Sequence, residues 1–128
     1  MIGYKIMDFD KGSVKTLFHG IEGSRTVPRF EWLKADVKQG RDGSDSKWYT
    51  TGWHILETLE QAQTYLQRFK GKESKCIVML ETRGPTWKKE HSPAEGLHLA
   101  EEIMIGQIVW LGRDIVNSIF TQKNTEGK

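Results

Sequence analysis

The stretch Trp48-Tyr49-Thr50-Thr51-Gly52-Trp53-His54-Ile55-Leu56, running straight into Glu57 through Phe69, constrains this chain most. Its first half is aromatic and hydroxyl-rich, which suits a half-buried strand. Its second half is an amphipathic helix with a marked start. Thr58 is a good N-cap, and Gln61 three residues later completes a capping-box pattern. Leu59, Ala62, Leu66 and Phe69 fall on one face, with Tyr65 beside them, and Gly71 supplies the stop. The pattern predicts a strand over 48–56 and one main amphipathic helix over about 58–70. That junction sets polar side chains on the edge of a rigid scaffold.

The other patterned segments are mostly β-like. Ile2 to Phe9 and Val14 to His19 flank Asp10-Lys11-Gly12-Ser13, which is turn chemistry, so a β-hairpin is expected. Gly20 to Ser46 is polar and glycine-bearing. Its middle, Phe30-Glu31-Trp32-Leu33-Lys34, is expected to form a helical turn, and Gln39 to Lys47 a loop. Cys76 to Glu81 reads as a short central strand, Arg83-Gly84-Pro85 as a turn and Trp87 to Gly96 as a polar loop. His98 to Ile105 and Gln107 to Leu111 read as two strands broken at Gly106. Arg113 to Phe120 predicts a short C-terminal helix, and 121–128 a flexible tail. Strands outnumber helices and do not alternate with them. The expected class is therefore α+β with a mostly antiparallel sheet, in a single domain over 1–120.

Bulk properties exclude more than they assign. A net charge of +2 permits nucleic-acid contact without arguing for it, because dedicated binders concentrate a basic face. The one cysteine, Cys76, lies in the apolar run Cys76-Ile77-Val78-Met79-Leu80, so an internal disulfide is impossible and a buried, inert thiol is expected. A reducing, cytoplasmic setting follows as the expectation, with no membrane partner, since no leader pattern or spanning apolar stretch is present. His19, His54, His91 and His98 do not repeat at metal-ligand spacings, so no metal is expected. No phosphate loop, dinucleotide fingerprint or nucleophile elbow occurs.

One ordered set of short motifs remains. Leu17-Phe18-His19-Gly20 closes the first hairpin, and Trp48-Tyr49-Thr50-Thr51 opens the strand before the helix. The helix carries Ala62-Gln63-Thr64-Tyr65, and Ala100-Glu101-Glu102-Ile103 begins a late strand. This order resembles the ADP-ribosyltransferase superfamily in its His-Tyr-Glu form. The resemblance implies a protein that binds NAD or a related nucleotide, either a transferase or a catalytically degenerate relic. His19 and Gly20 would then hold the nicotinamide ribose, and Tyr49, with Thr50 and Thr51 beside it, would stack on the nicotinamide. Glu101 or Glu102 would act as the catalytic carboxylate. Cleavage of the glycosidic C–N bond builds positive charge on the ribose, which a fixed carboxylate stabilises. Successive strand residues face opposite sides, so only one of the two glutamates can enter a cleft.

Two departures stand beside that resemblance. Trp48 occupies the place of the usual glycine before Tyr49, and Gly52 follows the hydroxyls. The run Gly52-Trp53-His54, with Lys89-Glu90-His91-Ser92-Pro93 and Leu99-Ala100, is equally similar to small phage and mobile-element proteins. The alternative is therefore a non-enzymatic accessory or inhibitor protein. It would bind a host protein or nucleic acid through exposed Trp and Lys/Arg side chains, among them Trp87, Lys88 and Lys89.

Overall fold

The first hairpin forms where its turn chemistry puts it. The computed structural model describes residues 1–17, 25–35, 39–41, 48–89 and 95–113, by backbone alone at 39–41 and 48–50. Strand β1 spans Ile2–Asp10 and β2 spans Ser13–Lys15. Asp10 pairs with Ser13, leaving Lys11 and Gly12 as the loop. Both loop residues have positive φ, 51° and 85°, the geometry of a type I′ turn, whose twist matches that of the strands it joins.

Further along lie β3 (Trp32–Lys34), β4 (Gln39–Arg41), β5 (Trp48–Thr50), β6 (Trp53–Leu56) and α1 (Leu59–Leu66). After a 3₁₀ turn over Lys72–Ser74 come two long strands, β7 (Lys75–Lys88) and β8 (Leu97–Leu111). Strand β7 lies between β1 and β8 and is antiparallel to both. The other edge of β8 takes β6 over 97–100 and β3 over 102–104. Strand β6 also meets β1 through Tyr4 and Leu56. The pairings therefore close a circuit from β1 through β7, β8 and β6 back to β1, so the sheet is coiled into a small barrel. Strands β4 and β5 pair only with each other among the described residues. The architecture is α+β, a mostly antiparallel sheet with one short helix, as composition and pattern imply.

Period-two alternation sorts the side chains into two cores. Inside the coil, Met7, Val14, Ile55, Cys76, Val78, Leu80, Ala100, Ile103 and Ile105 pack together. On the outside, Ile6, Leu56, Ile77 and Leu97 meet Ala62 and Leu66 of α1. The capping box is present: Thr58 accepts from the Gln61 amide, and the Gln61 side chain accepts from the Thr58 amide. The helix ends at Leu66, earlier than its pattern predicts, and the chain turns through Gly71 at φ 67°.

Several local expectations are overturned. Phe30–Lys34 is no helical turn. Trp32–Lys34 is a strand, with Trp32, Leu33 and Lys34 opposite Met104, Ile103 and Glu102. The continuous strand over 48–56 splits at Thr51-Gly52 into β5 and β6, which belong to different sheets. Gln39–Arg41, expected as loop, is the partner strand of β5. The turn expected at Arg83-Gly84-Pro85 is a bulge inside β7, where Gly84 and Pro85 together oppose Glu101. Gly84 takes φ 76° there, and a bulge is one of the few sheet positions that tolerate proline. Gly106 does not break β8 either. A Cβ on it would lie 3.2 Å from the Met79 carbonyl, so glycine serves close strand approach at that point. The short C-terminal helix, beyond Arg113, and the 121–128 tail lie outside the described residues.

Candidate functional site

Of the residues implied by the transferase resemblance, His19 and Gly20 lie outside the described residues. Tyr49 and Thr50 are placed by backbone in β5, opposite Gly40 and Gln39. Thr51 and Gly52 form the corner between β5 and β6. A Cβ on Gly52 would stand 3.0 Å from both the Ala100 carbonyl oxygen and the Trp87 ring, so the corner rests directly on β8 beside Glu101. Glu101 and Glu102 do not head a strand; they lie within β8. Both already face cations. Arg83 Nε donates to Glu102 Oε2 at 2.8 Å, and Lys34 Nζ stands 3.7 Å from Glu101 Oε1. The structure thus brings the Thr51 corner and the two glutamates to the same part of β8, with each carboxylate held by a neighbouring strand.

The same part of the sheet carries an aromatic surface, with Trp32 half-buried and Phe30 exposed among the described residues. The Arg83 guanidinium lies 4.3 Å from the Trp32 ring centroid, fixed there by Glu102. Next to β3, Phe30 is 62% exposed and takes φ 63°. That is an uncommon region for a bulky side chain, and it is kept only where the surroundings impose it. The surroundings here are explicit. The Phe30 amide donates to the Ile105 carbonyl at 2.7 Å, and Arg29 Nε donates to the Gly106 carbonyl at 2.9 Å. The Arg29 guanidinium then lies 4.9 Å from the Phe30 ring. Two hydrogen bonds to β8 therefore hold a strained turn that presents a phenyl ring to solvent.

A second unusual group lies inside the coil. Lys5 shares its face of β1 with Gly3 and Met7, and it pairs with Val78 of the inner core. Its Nζ donates to the His54 carbonyl at 2.9 Å and sits 5.8 Å from the Trp53 ring. The indole is itself fixed, since Trp53 Nε1 donates to the Leu33 carbonyl. Burial lowers the Lys5 amine from its ordinary 10.5 to about 8, because taking an ammonium out of water disfavours its charged form. Nearby Cys76 is buried, as its apolar run implies, and burial with Asp8 close by pushes its thiol up to about 12. It is a packing residue and not a nucleophile.

Elsewhere, an open groove of ≈ 580 Å³ beside α1 is lined by Thr58, Glu60, Gln61, Thr64, Tyr65, Arg68 and Glu95, and it includes neither Tyr49, Thr51, Glu101 or Glu102 nor Lys5, Phe30 or Arg83. His98 Nε2 pairs with Glu57 Oε1, so this histidine already has a partner. Among the described residues no cluster of three potential metal ligands occurs, and no helix is long and apolar enough to cross a membrane. Sequence reasoning missed Lys5, Arg29, Phe30 and Arg83. The signal for Phe30 was present, because Phe30, Trp32 and Lys34 alternate with period two and the segment follows Pro28. Lys5, between Gly3 and Met7 on one face of β1, gives no comparable signal. No protein-family model, curated protein or solved structure matches the chain, so these side chains carry the functional reading.

Proposed function

We propose that this chain is a non-enzymatic accessory protein that binds a host protein through the face built by Arg29, Phe30, Trp32 and Arg83. The observation that carries this reading is Phe30, exposed, backbone-strained and held in place by hydrogen bonds to β8. A folded chain gains nothing by fixing a phenyl ring in water, whereas a rigid aromatic anchor loses little entropy when a partner covers it. Aromatic rings and arginines are also the commonest hot-spot side chains. The face mixes Arg29, Lys34 and Arg83 with Glu101 and Glu102. That mixture suits a protein surface better than a phosphate backbone, which calls for concentrated positive charge.

The test is affinity capture from host extract, followed by titration of the purified partner against wild type and Phe30→Ala. Loss of a hot-spot anchor weakens binding about thirtyfold or more, equivalent to about 2 kcal/mol. A partner that binds both forms equally refutes the face. Binding that collapses on nuclease treatment or steeply with salt assigns nucleic acid instead.

The second reading is an NAD-binding, ADP-ribosyltransferase-like protein. It is favoured by the rest of the Thr51-Gly52 corner against Ala100, next to Glu101. NAD at a hundred times its dissociation constant would raise stability by about 2.7 kcal/mol, which a thermal-shift titration reads directly. An unmoved melting curve across millimolar NAD removes this reading.

A further inference from the structure

We infer that the partner's footprint runs from Phe30 across the sheet to Ile2, and that the partner sets a lysine or arginine over Glu81. The inference rests on the accessory-protein reading and names the chemistry of its partner, an apolar protein surface with a cation set into it.

Cross-strand register carries it. Ile2 of β1 lies opposite Glu81 of β7, Glu81 opposite Met104 of β8, and Met104 opposite Trp32 of β3. Residues directly opposite one another share a face of the sheet. Here it is the outer face, because Ile103 and Ile105 on either side of Met104 are buried in the inner core. Neighbouring strands lie about 4.8 Å apart, so the row is about 14 Å long. It starts where the helix stops. Tyr4 and Ile6 pack in the outer core with Ala62 and Leu66, whereas Ile2, next along the same face of β1, is 56% exposed.

Ile2 is also held, as Phe30 is. The Thr82 amide donates to the Met1 carbonyl at 2.8 Å and fixes the start of β1 on β7. Among the described residues the exposed large apolar side chains are Met1, Ile2 and Phe30, and the row joins the first two to the neighbourhood of the third. A stable complex covers about 800 Å² on each partner, a patch roughly 30 Å across. Phe30 and Trp32 alone fall short of that, and the whole row fits inside it.

Glu81 sets the partner's charge. Glu101 faces Lys34 and Glu102 is bound by Arg83, but no cation pairs with Glu81 among the described residues. Covering this carboxylate between Ile2 and Met104 strips its hydration, and only an opposite charge on the partner offsets that loss.

The test titrates the captured partner against the full chain carrying Phe30→Ala, Ile2→Ser, Glu81→Gln or Glu81→Lys, with urea unfolding confirming that each variant is folded. Glu81→Lys, which opposes two cations, is expected to weaken binding about thirtyfold or more, and Ile2→Ser and Glu81→Gln about fivefold each. If Phe30→Ala abolishes binding while Ile2→Ser and Glu81→Lys bind as wild type, the footprint ends at Trp32; this inference is then overturned and the Phe30 reading stands. Tighter binding by Glu81→Lys overturns it too, since the partner is then acidic at that point. An extract that yields no partner, or a second copy of the chain alone, removes the reading and this extension together.

Discussion

The outside of the coiled sheet has two flanks that the chain treats in opposite ways. On one, Ile6, Leu56, Ile77 and Leu97 are sealed under Ala62 and Leu66 of α1. On the other, Trp32 and Phe30 stand beside β8 with no helix over them among the described residues, each faced by an arginine. Both flanks are built on the same two long strands, so strand composition alone does not explain the difference. The covered flank contributes stability through area removed from water. On the uncovered flank, ion pairs and cation–π contacts orient side chains while leaving them accessible. The first flank is organised to hold the fold, and the second to meet something else.

Substitutions on the two flanks should therefore separate stability from binding. Leu66 is fully buried, and Leu66→Ala should cost about 3 kcal/mol in urea unfolding, through lost burial and the cavity left behind. The interior comes next. The Lys5 amine is lowered from 10.5 to about 8 in the folded chain. Between those values the unfolded chain binds the extra proton, so stability rises with pH across that window and the penalty is fully present below it. For this half-buried group the gain from pH 8 to 10.5 should be about 2 kcal/mol, and Lys5→Met, measured by denaturation across the same range, should lack it. Thr58→Ala removes the helix cap of the covered flank and should cost about 1 kcal/mol. Phe30→Gly should behave in the opposite sense. Glycine accepts φ 63° freely, so stability should hold or rise by about 0.5 kcal/mol while partner binding is lost. A large loss of stability at Phe30 would erase the contrast between the flanks.

What was legible in the sequence follows the same division. The hairpin and the capped helix are local structures. Asp10-Lys11-Gly12-Ser13 and Thr58-Leu59-Glu60-Gln61 contain the groups that decide them. The long strands were not legible, because Gly84-Pro85 and Gly106 look like punctuation until a neighbouring strand is present. Gly84 opens a bulge opposite Glu101, and Gly106 admits the Met79 carbonyl. The break at Thr51-Gly52 has the same origin: the aromatic alternation continues through it, and only close contact with Ala100 and Trp87 makes it a corner. Of the candidate site, the sequence places Glu101 and Glu102 on a late strand, but only the pairing with β6 shows that this strand already begins at Leu97. Phe30 reads locally as part of a helical turn because its pairing partner, β8, lies more than seventy residues away.

Hydrogen–deuterium exchange on the chain with its captured partner tests the division of flanks most directly. The expected result is slowed exchange over 29–34 and over the β7 and β8 residues beside it, with 58–68 unchanged. Protection confined to 58–68, with the Phe30 segment exchanging as in the free chain, would contradict it.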